Sequence, residues 1–291
     1  MTAPAGFDEL ELALRGGSGV AIICEGETYR QDEAVFRRWF ERRAREVTFH
    51  AQNGWRRVVH AVEQLRRLAA PVPVYGIVDR DFAPDAELER QHAAEFRGPV
   101  FRLPRCTIEN YLLEPAGWHE VVRALHVREP QLPTGWDSLP AVSERLSEAY
   151  RASVPVAAHN WTVHVLRERF ERQAGFCDTE YLRHSGVAEQ VDLGARLAAW
   201  AGGFGAADEA RAEFAGRRDL LVGLADPVRL STYVSGKLVL QRVQQDVPIA
   251  AGRRRPAVDE LVDRYLDKRP EPPEEILGLV ARILAVAHHT A

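Results

Sequence analysis

The chain has 291 residues, 46% hydrophobic and 27% charged, long enough to bury a full core and too apolar for a disordered chain. Its formal net charge of −4 excludes a polycation that coats nucleic acid over its whole surface, although clustered basic residues still create a local field for phosphates. The three cysteines, Cys24, Cys106 and Cys177, form no CxxC pair and fit neither a disulfide framework nor a zinc ribbon. No run approaches 18 apolar residues and no basic stretch precedes an apolar one at the N-terminus, so the expectation is a cytoplasmic protein without a membrane partner.

The first ~115 residues alternate short apolar runs with amphipathic stretches, the pattern of βα units and a parallel sheet. Val20–Cys24 is an apolar run of strand length, introduced by Gly17, Ser18 and Gly19 and ended by Glu25-Gly26. The spacing of Val35, Phe36, Trp39 and Phe40 predicts a helix over Asp32–Arg45. Val47–Phe49 reads as a second strand, Asn53-Gly54 as a turn, and Trp55–Leu68 as a helix with Val58, Val59, Val62 and Leu65 on one side. Pro73–Val78 is a third strand that runs into Asp79-Arg80-Asp81, and Gly98–Leu103 a fourth. Thr107–Leu113 follows, closed by Pro115.

Beyond about residue 116, segments with a 3.6-residue period dominate: Ala141–Ala152, Trp161–Gln173, Val187–Ala201, Asp208–Leu224, Leu230–Gln245, Val258–Leu266 and Glu274–His288. Loops rich in Pro and Gly separate them, notably Pro130–Pro140, Gly202–Gly205 and Gly252–Pro256. The expected architecture is an α/β domain over 1–115, a mainly parallel sheet flanked by helices, followed by a mostly α-helical region over 116–291.

Two acidic clusters each end an apolar strand. In a parallel sheet such ends lie along one edge, where ligand crevices form, so Glu25 and Asp79/Asp81 are expected to converge. Residues i and i+2 of extended chain point the same way, so both aspartates can face one ion. Hard oxygen ligands with no His or Cys among them suit Mg²⁺ or Mn²⁺. The competing reading is a helix cap or turn former. Gly26 turns the chain tightly and leaves room for phosphate.

The order of apolar strand, Glu-Gly, apolar strand and Asp-x-Asp resembles the TOPRIM domain of topoisomerases, primases and OLD-family nucleases. The strings GIVDRDF at 76–82 and TIENYLL at 107–113 resemble more closely the DUF4435 branch, which includes the nuclease subunit of the PARIS phage-defence pair. The resemblance is clearest over residues 18–115. It implies Glu25 as general base or metal ligand, Asp79 and Asp81 as the metal-binding pair, and Glu109 as a further ligand or substrate-side carboxylate. A helix N-terminal charge is the alternative for Glu109. Many relatives carry an Asp where this chain has Tyr29; either Asp32 takes that role after a short insertion, or the ligand is missing. Relatives often place a Gly-Lys near Gly236-Lys237, which makes Lys237 a candidate charge stabiliser, against the reading of a solvent-facing lysine.

Arg37, Arg38, Arg42, Arg43 and Arg45, with Arg56, Arg57, Arg66 and Arg67, give the first two helices basic faces, either solvated or in contact with phosphate. The ten histidines show no HExxH or triad context and read as structural or surface groups. The expected function is a Mg²⁺- or Mn²⁺-dependent nuclease acting on DNA or RNA (tRNA included). The resemblance adds an antiphage role with an ABC-type ATPase partner. A non-catalytic regulatory or nucleic-acid-binding subunit and a nucleotidyl-transfer enzyme are the alternatives, and a homo-oligomer is left open.

Overall fold

The computed structural model describes residues 10–12, 14, 19–26, 32–68, 70–93, 95–127, 131–170, 180–224, 226–250 and 252–290. Cys177, Tyr29 and the last three residues of the expected helix Trp161–Gln173 lie outside the described residues. Two compact units are formed, residues 1–104 with 266–291, and residues 105–265.

The first unit is built on a four-stranded parallel sheet in the order β2-β1-β3-β4, with β1 Val20–Glu25, β2 Val47–Gln52, β3 Val74–Val78 and β4 Val100–Arg102. The near-continuous apolar runs of β1 and β3 are what burial on both faces demands. Helices α1 (Asp32–Trp39), α2 (Trp55–Arg67) and α3 (Asp85–His92) connect the strands in turn. Val58, Ala61, Val62 and Leu65 of α2 pack on one sheet face with Ala21, Ile23, Val74 and Val78, joined by Leu10 and Leu14. Gly76 permits the close approach of α2: a Cβ there would meet Val58 and Val100 at 3.1 Å and Val62 at 3.3 Å. On the other face Phe36 of α1 stacks on Phe49 of β2 at 4.9 Å, and Phe40 reaches the same ring at 5.4 Å.

Gly19 enters β1 with φ 83, where a Cβ would overlap the Glu46 carbonyl, so only glycine fits. The helix expected over Asp32–Arg45 ends at Trp39 and tightens into a 3₁₀ turn, Glu41–Arg43. That tightening places both Phe36 and Phe40 over Phe49.

The second unit is helical: a 3₁₀ turn Ile108–Leu112, then α4 (Pro115–Leu125), α5 (Leu139–Phe170), a 3₁₀ turn Ser185–Glu189, α6 (Leu193–Gly202), α7 (Ala207–Gly223), α8 (Pro227–Leu230) and α9 (Gly236–Asp246). Helices α10 (Val258–Lys268) and α11 (Glu274–Thr290) follow. Within this unit, α6 and α7 pack against the 32-residue α5, and Phe170, Trp200 and Phe204 form an aromatic cluster with centroids 4.7–6.0 Å apart. Two expected segments fuse into α5, which continues through Pro155. Pro115 opens α4 rather than closing the preceding segment, because the first turn of a helix needs no N–H from proline. The segment expected over Val187–Ala201 divides into the 3₁₀ turn and α6, and Leu230–Gln245 is interrupted by a turn at Ser231–Val234 before α9. Among the described residues no strand occurs between 140 and 250, and no helix is long and apolar enough to cross a membrane.

In the first unit, Arg282 of α11 donates to the carbonyls of His92 and Ala93 and lies 6.0 Å from the Phe101 ring. This ties the last helix to the β4 side of the sheet.

Candidate functional site

Glu25 is the last residue of β1, and Asp79 immediately follows β3, the strand hydrogen-bonded beside it. Parallel pairing brings the two ends to one edge: the Asp79 N–H donates to Glu25 Oε1 at 2.9 Å. One carboxylate oxygen of Glu25 is thereby anchored by main chain. Strand alternation puts Glu25 on the face of Ala21 and Ile23, the face that α2 covers.

Asp79 is 6% exposed, and its carbonyl accepts from Arg102 Nη1 at 3.2 Å. Arg102 in turn pairs through Nε with Glu87 Oε1 at 2.9 Å. Between the aspartates, Arg80 is 5% exposed and turns inward to donate to the Pro104 carbonyl at 3.2 Å and to Asp85. Arg80 and Arg102 therefore fix the Asp79–Asp81 segment from below, and sequence reading assigned neither a role. The acid–Arg–acid pattern directly after a strand was the available signal for Arg80; Arg102 carried none, because its partners lie 15 and 23 residues away.

The extended geometry expected through Asp-x-Asp does not continue to Asp81. The Ala83 N–H closes a turn on the Arg80 carbonyl at 3.0 Å, and Asp81 takes φ 50, the sole positive φ of a non-glycine among the described residues. Aspartate tolerates the left-handed region better than most residues, yet the position still stores backbone strain of about 1–3 kcal/mol, a cost that clusters at functional sites. Asp81 is half-buried at the rim.

Asp32 opens α1, is 3% exposed, and acts electrostatically on Cys24, the residue before Glu25. Burial first, then the fields of Asp32 and Glu33, push the Cys24 thiol well above its usual range. Its Sγ donates to the His50 carbonyl at 3.6 Å. A neutral buried thiol is a poor metal ligand.

Glu109 and Lys237 belong to the second unit and meet there. Glu109 lies in the 3₁₀ turn with its side chain 8% exposed, and Lys237 Nζ is 3.9 Å from its Oε1; Oε2 is buried without a hydrogen-bond partner. The pair is positioned by Asn110, 1% exposed. Asn110 Oδ1 accepts from Thr107 N at 3.0 Å, from Thr107 Oγ1 at 3.2 Å and from Gly236 N at 3.0 Å. Its Nδ2 donates to Tyr150 Oη and to the Val234 carbonyl, each at 3.0 Å. Gly236 must be glycine, since a Cβ would fall 2.6 Å from the Glu109 carbonyl carbon. Much of the TIENYLL string thus has a structural purpose: Thr107 and Asn110 form a capping box, and the Tyr111 hydroxyl accepts from Arg105 N at 3.1 Å.

Among the described residues, no group of three or more His, Cys, Asp or Glu forms a ready-made metal cage. The donors at the β1/β3 edge are nevertheless of one kind, hard carboxylate oxygens in small number. Mg²⁺ keeps several waters and takes one or two carboxylates plus substrate phosphate, so this set fits Mg²⁺ or Mn²⁺ and not zinc. No family model and no curated protein matches the chain.

Proposed function

We propose that the chain is a Mg²⁺- or Mn²⁺-dependent nuclease of TOPRIM type, with Glu25, Asp79 and Asp81 as its working carboxylates. The observation that carries this reading is the hydrogen bond between the ends of two adjacent parallel strands, Asp79 N–H to Glu25 Oε1 at 2.9 Å, beside the strained turn at Asp81. A cap or turn former accounts for one acidic residue at a strand end; it does not account for acids at the ends of two adjacent strands with the turn that follows β3 held in a left-handed conformation.

Asp79 and Asp81 would hold the ion, which would supply charge neutralisation at the scissile phosphate. Glu25, with one oxygen fixed by main chain, orients the attacking water and accepts its proton. Arg102 and Arg80 hold the main chain of the Asp79–Asp81 segment in place, which limits how far its backbone must rearrange when substrate arrives. The GIVDRDF and TIENYLL strings support placing the chain in the DUF4435 branch, and with it an antiphage role beside an ABC-type ATPase.

The test is incubation of the full chain with plasmid, single-stranded DNA and tRNA, with Mg²⁺ or Mn²⁺ and with EDTA. Cleavage of at least one substrate that EDTA abolishes is expected. Absence of cleavage with either metal, or cleavage that persists in EDTA, contradicts the proposal; the first outcome identifies a binding or regulatory subunit instead.

A further inference from the structure

The first turn of α2 runs against the usual charge preference of helices. Asp and Glu are favoured there because the N-terminal N–H groups carry positive charge. Helix α2 has no acidic residue in its first turn and no side-chain cap, its N-cap being Gly54 at φ 75. Trp55, Arg56 and Arg57 occupy that turn instead, stacking cationic charge on an already positive helix end. Trp55 is 38% exposed, and the Arg56 guanidinium carbon lies 5.6 Å from its ring centroid.

Other arginines of α1, α2 and the 3₁₀ turn between them are engaged with acids: Arg37 with Glu33 at 2.6 Å, Arg43 with Glu46 at 2.6 Å, Arg67 with Glu63 at 3.9 Å. Among the described residues the Arg57 guanidinium makes no ion pair, and it is exposed. Many of the basic residues read from sequence are therefore paired with acids, and at the start of α2 Arg57 is the one that makes no ion pair among the described residues.

That turn lies at the edge of the candidate site. Gln52, the last residue of β2, is the register partner of Glu25, and Trp55 follows three residues later. Val58 packs on Gly76 of β3, and Trp55, one helical turn earlier, stands about 4.5 Å nearer the strand ends at 1.5 Å per residue. This brings it level with the end of β3, on the sheet face that carries Glu25.

We infer that the first turn of α2 is a substrate platform for unpaired nucleic acid, with a base stacked on Trp55 and the adjoining phosphates at Arg56 and Arg57. The inference rests on the nuclease reading and names its substrate class. An exposed indole offers a face to any base freed from pairing, while a duplex keeps its bases stacked internally and offers chiefly phosphates. Arg56 and Arg57 supply the charge complement to the backbone beside that base.

The experiment is fluorescence anisotropy of the full chain with a labelled oligothymidylate of about 12 nucleotides, within the usual site sizes for single-strand binders. A blunt duplex of equal length is compared, both in EDTA. Single strand should bind more tightly than duplex; Trp55→Ala should weaken it by about 5- to 150-fold, the factor one base–aromatic stack commands, and Trp55→Phe should retain most of it. Arg57→Gln should lower the slope of log affinity against log salt by about 0.7, one phosphate contact on a single strand. Failure to bind, equal binding of duplex, or Trp55→Ala binding within about twofold of the parent overturns the platform. Because binding is read in EDTA, loss of the platform with intact Mg²⁺-dependent cleavage leaves the nuclease reading standing. Single-strand binding without cleavage under Mg²⁺ or Mn²⁺ supports the platform and overturns the nuclease.

Discussion

Replacing Asn110 by alanine removes the residue through which the 107–112 turn and α9 are joined. Five hydrogen bonds of 3.0–3.2 Å end on its side chain, which is 1% exposed. Gly236 N–H keeps a second acceptor, Thr107 Oγ1 at 3.1 Å, so the loss falls on Thr107 N–H, the Val234 carbonyl and the Thr107 and Tyr150 hydroxyls. Each buried polar group left without its partner costs about 1–3 kcal/mol, and the small void adds to that, giving about 3–5 kcal/mol for the substitution. At about 2–4 °C per kcal/mol for a unit of this size, the melting temperature should fall by roughly 6–20 °C. Thermal unfolding by circular dichroism reads this directly. Asn110→Asp, which keeps the acceptor oxygen but loses both donations, should also be destabilised. A melting temperature for Asn110→Ala within about 2 °C of the parent would refute the view that this side chain holds the turn and α9 together.

Two further outcomes follow from the packing. Gly76→Ala pushes a methyl group against Val58, Val62 and Val100 at 3.1–3.3 Å and should cost about 1–3 kcal/mol as overpacking; an unchanged denaturant midpoint contradicts the close approach of α2 to β3. Burial lowers the imidazole of His159, 0% exposed on α5, from 6.5 to about 4. As pH falls below about 6.5 the unfolded chain takes up this proton first, so stability tied to His159 is present above that pH. It is lost toward pH 4 at about 1.4 kcal/mol per unit. Its ring resonance should not titrate above about pH 5.5; a midpoint near 6.5 by NMR contradicts the burial.

The sheet was legible because burial on both faces imposes uninterrupted apolar runs on β1 and β3, and Gly or Pro punctuates them. What escaped had weak or misleading local signals. Helix α3 buries only Leu88, too little for a periodic stripe. Pro115 is a stop by composition and a start by geometry, since the distinction depends on the following turn. Pro155 lies between two periodic runs, and only packing against the rest of the unit shows that they form one helix. Strand ends could be located from sequence, which sufficed to place Glu25 beside Asp79. The left-handed turn at Asp81 and the inward course of Arg80 depend on Ala83, Pro104 and Asp85 closing around them, and no spacing rule encodes that. The Asn110–Gly236 contact spans 126 residues, so it too was beyond a local reading.

The central claim is that the Glu25–Asp79–Asp81 edge performs metal-dependent phosphodiester cleavage, and Asp79→Asn tests it most directly. The substitution keeps the shape and the main-chain N–H that Glu25 accepts from, while removing one carboxylate charge from the strand edge that also carries Glu25 and Asp81. Relieved repulsion commonly offsets a lost hydrogen bond, so the melting temperature should hold or rise slightly. Cleavage of the substrate identified for the parent, measured with Mg²⁺ or Mn²⁺ in parallel with thermal unfolding, should fall roughly a hundredfold or more, the scale of losing one preorganised electrostatic group. A variant that loses stability yet cleaves at the parent's rate, still in a metal-dependent way, would show that the chemistry belongs elsewhere in the chain.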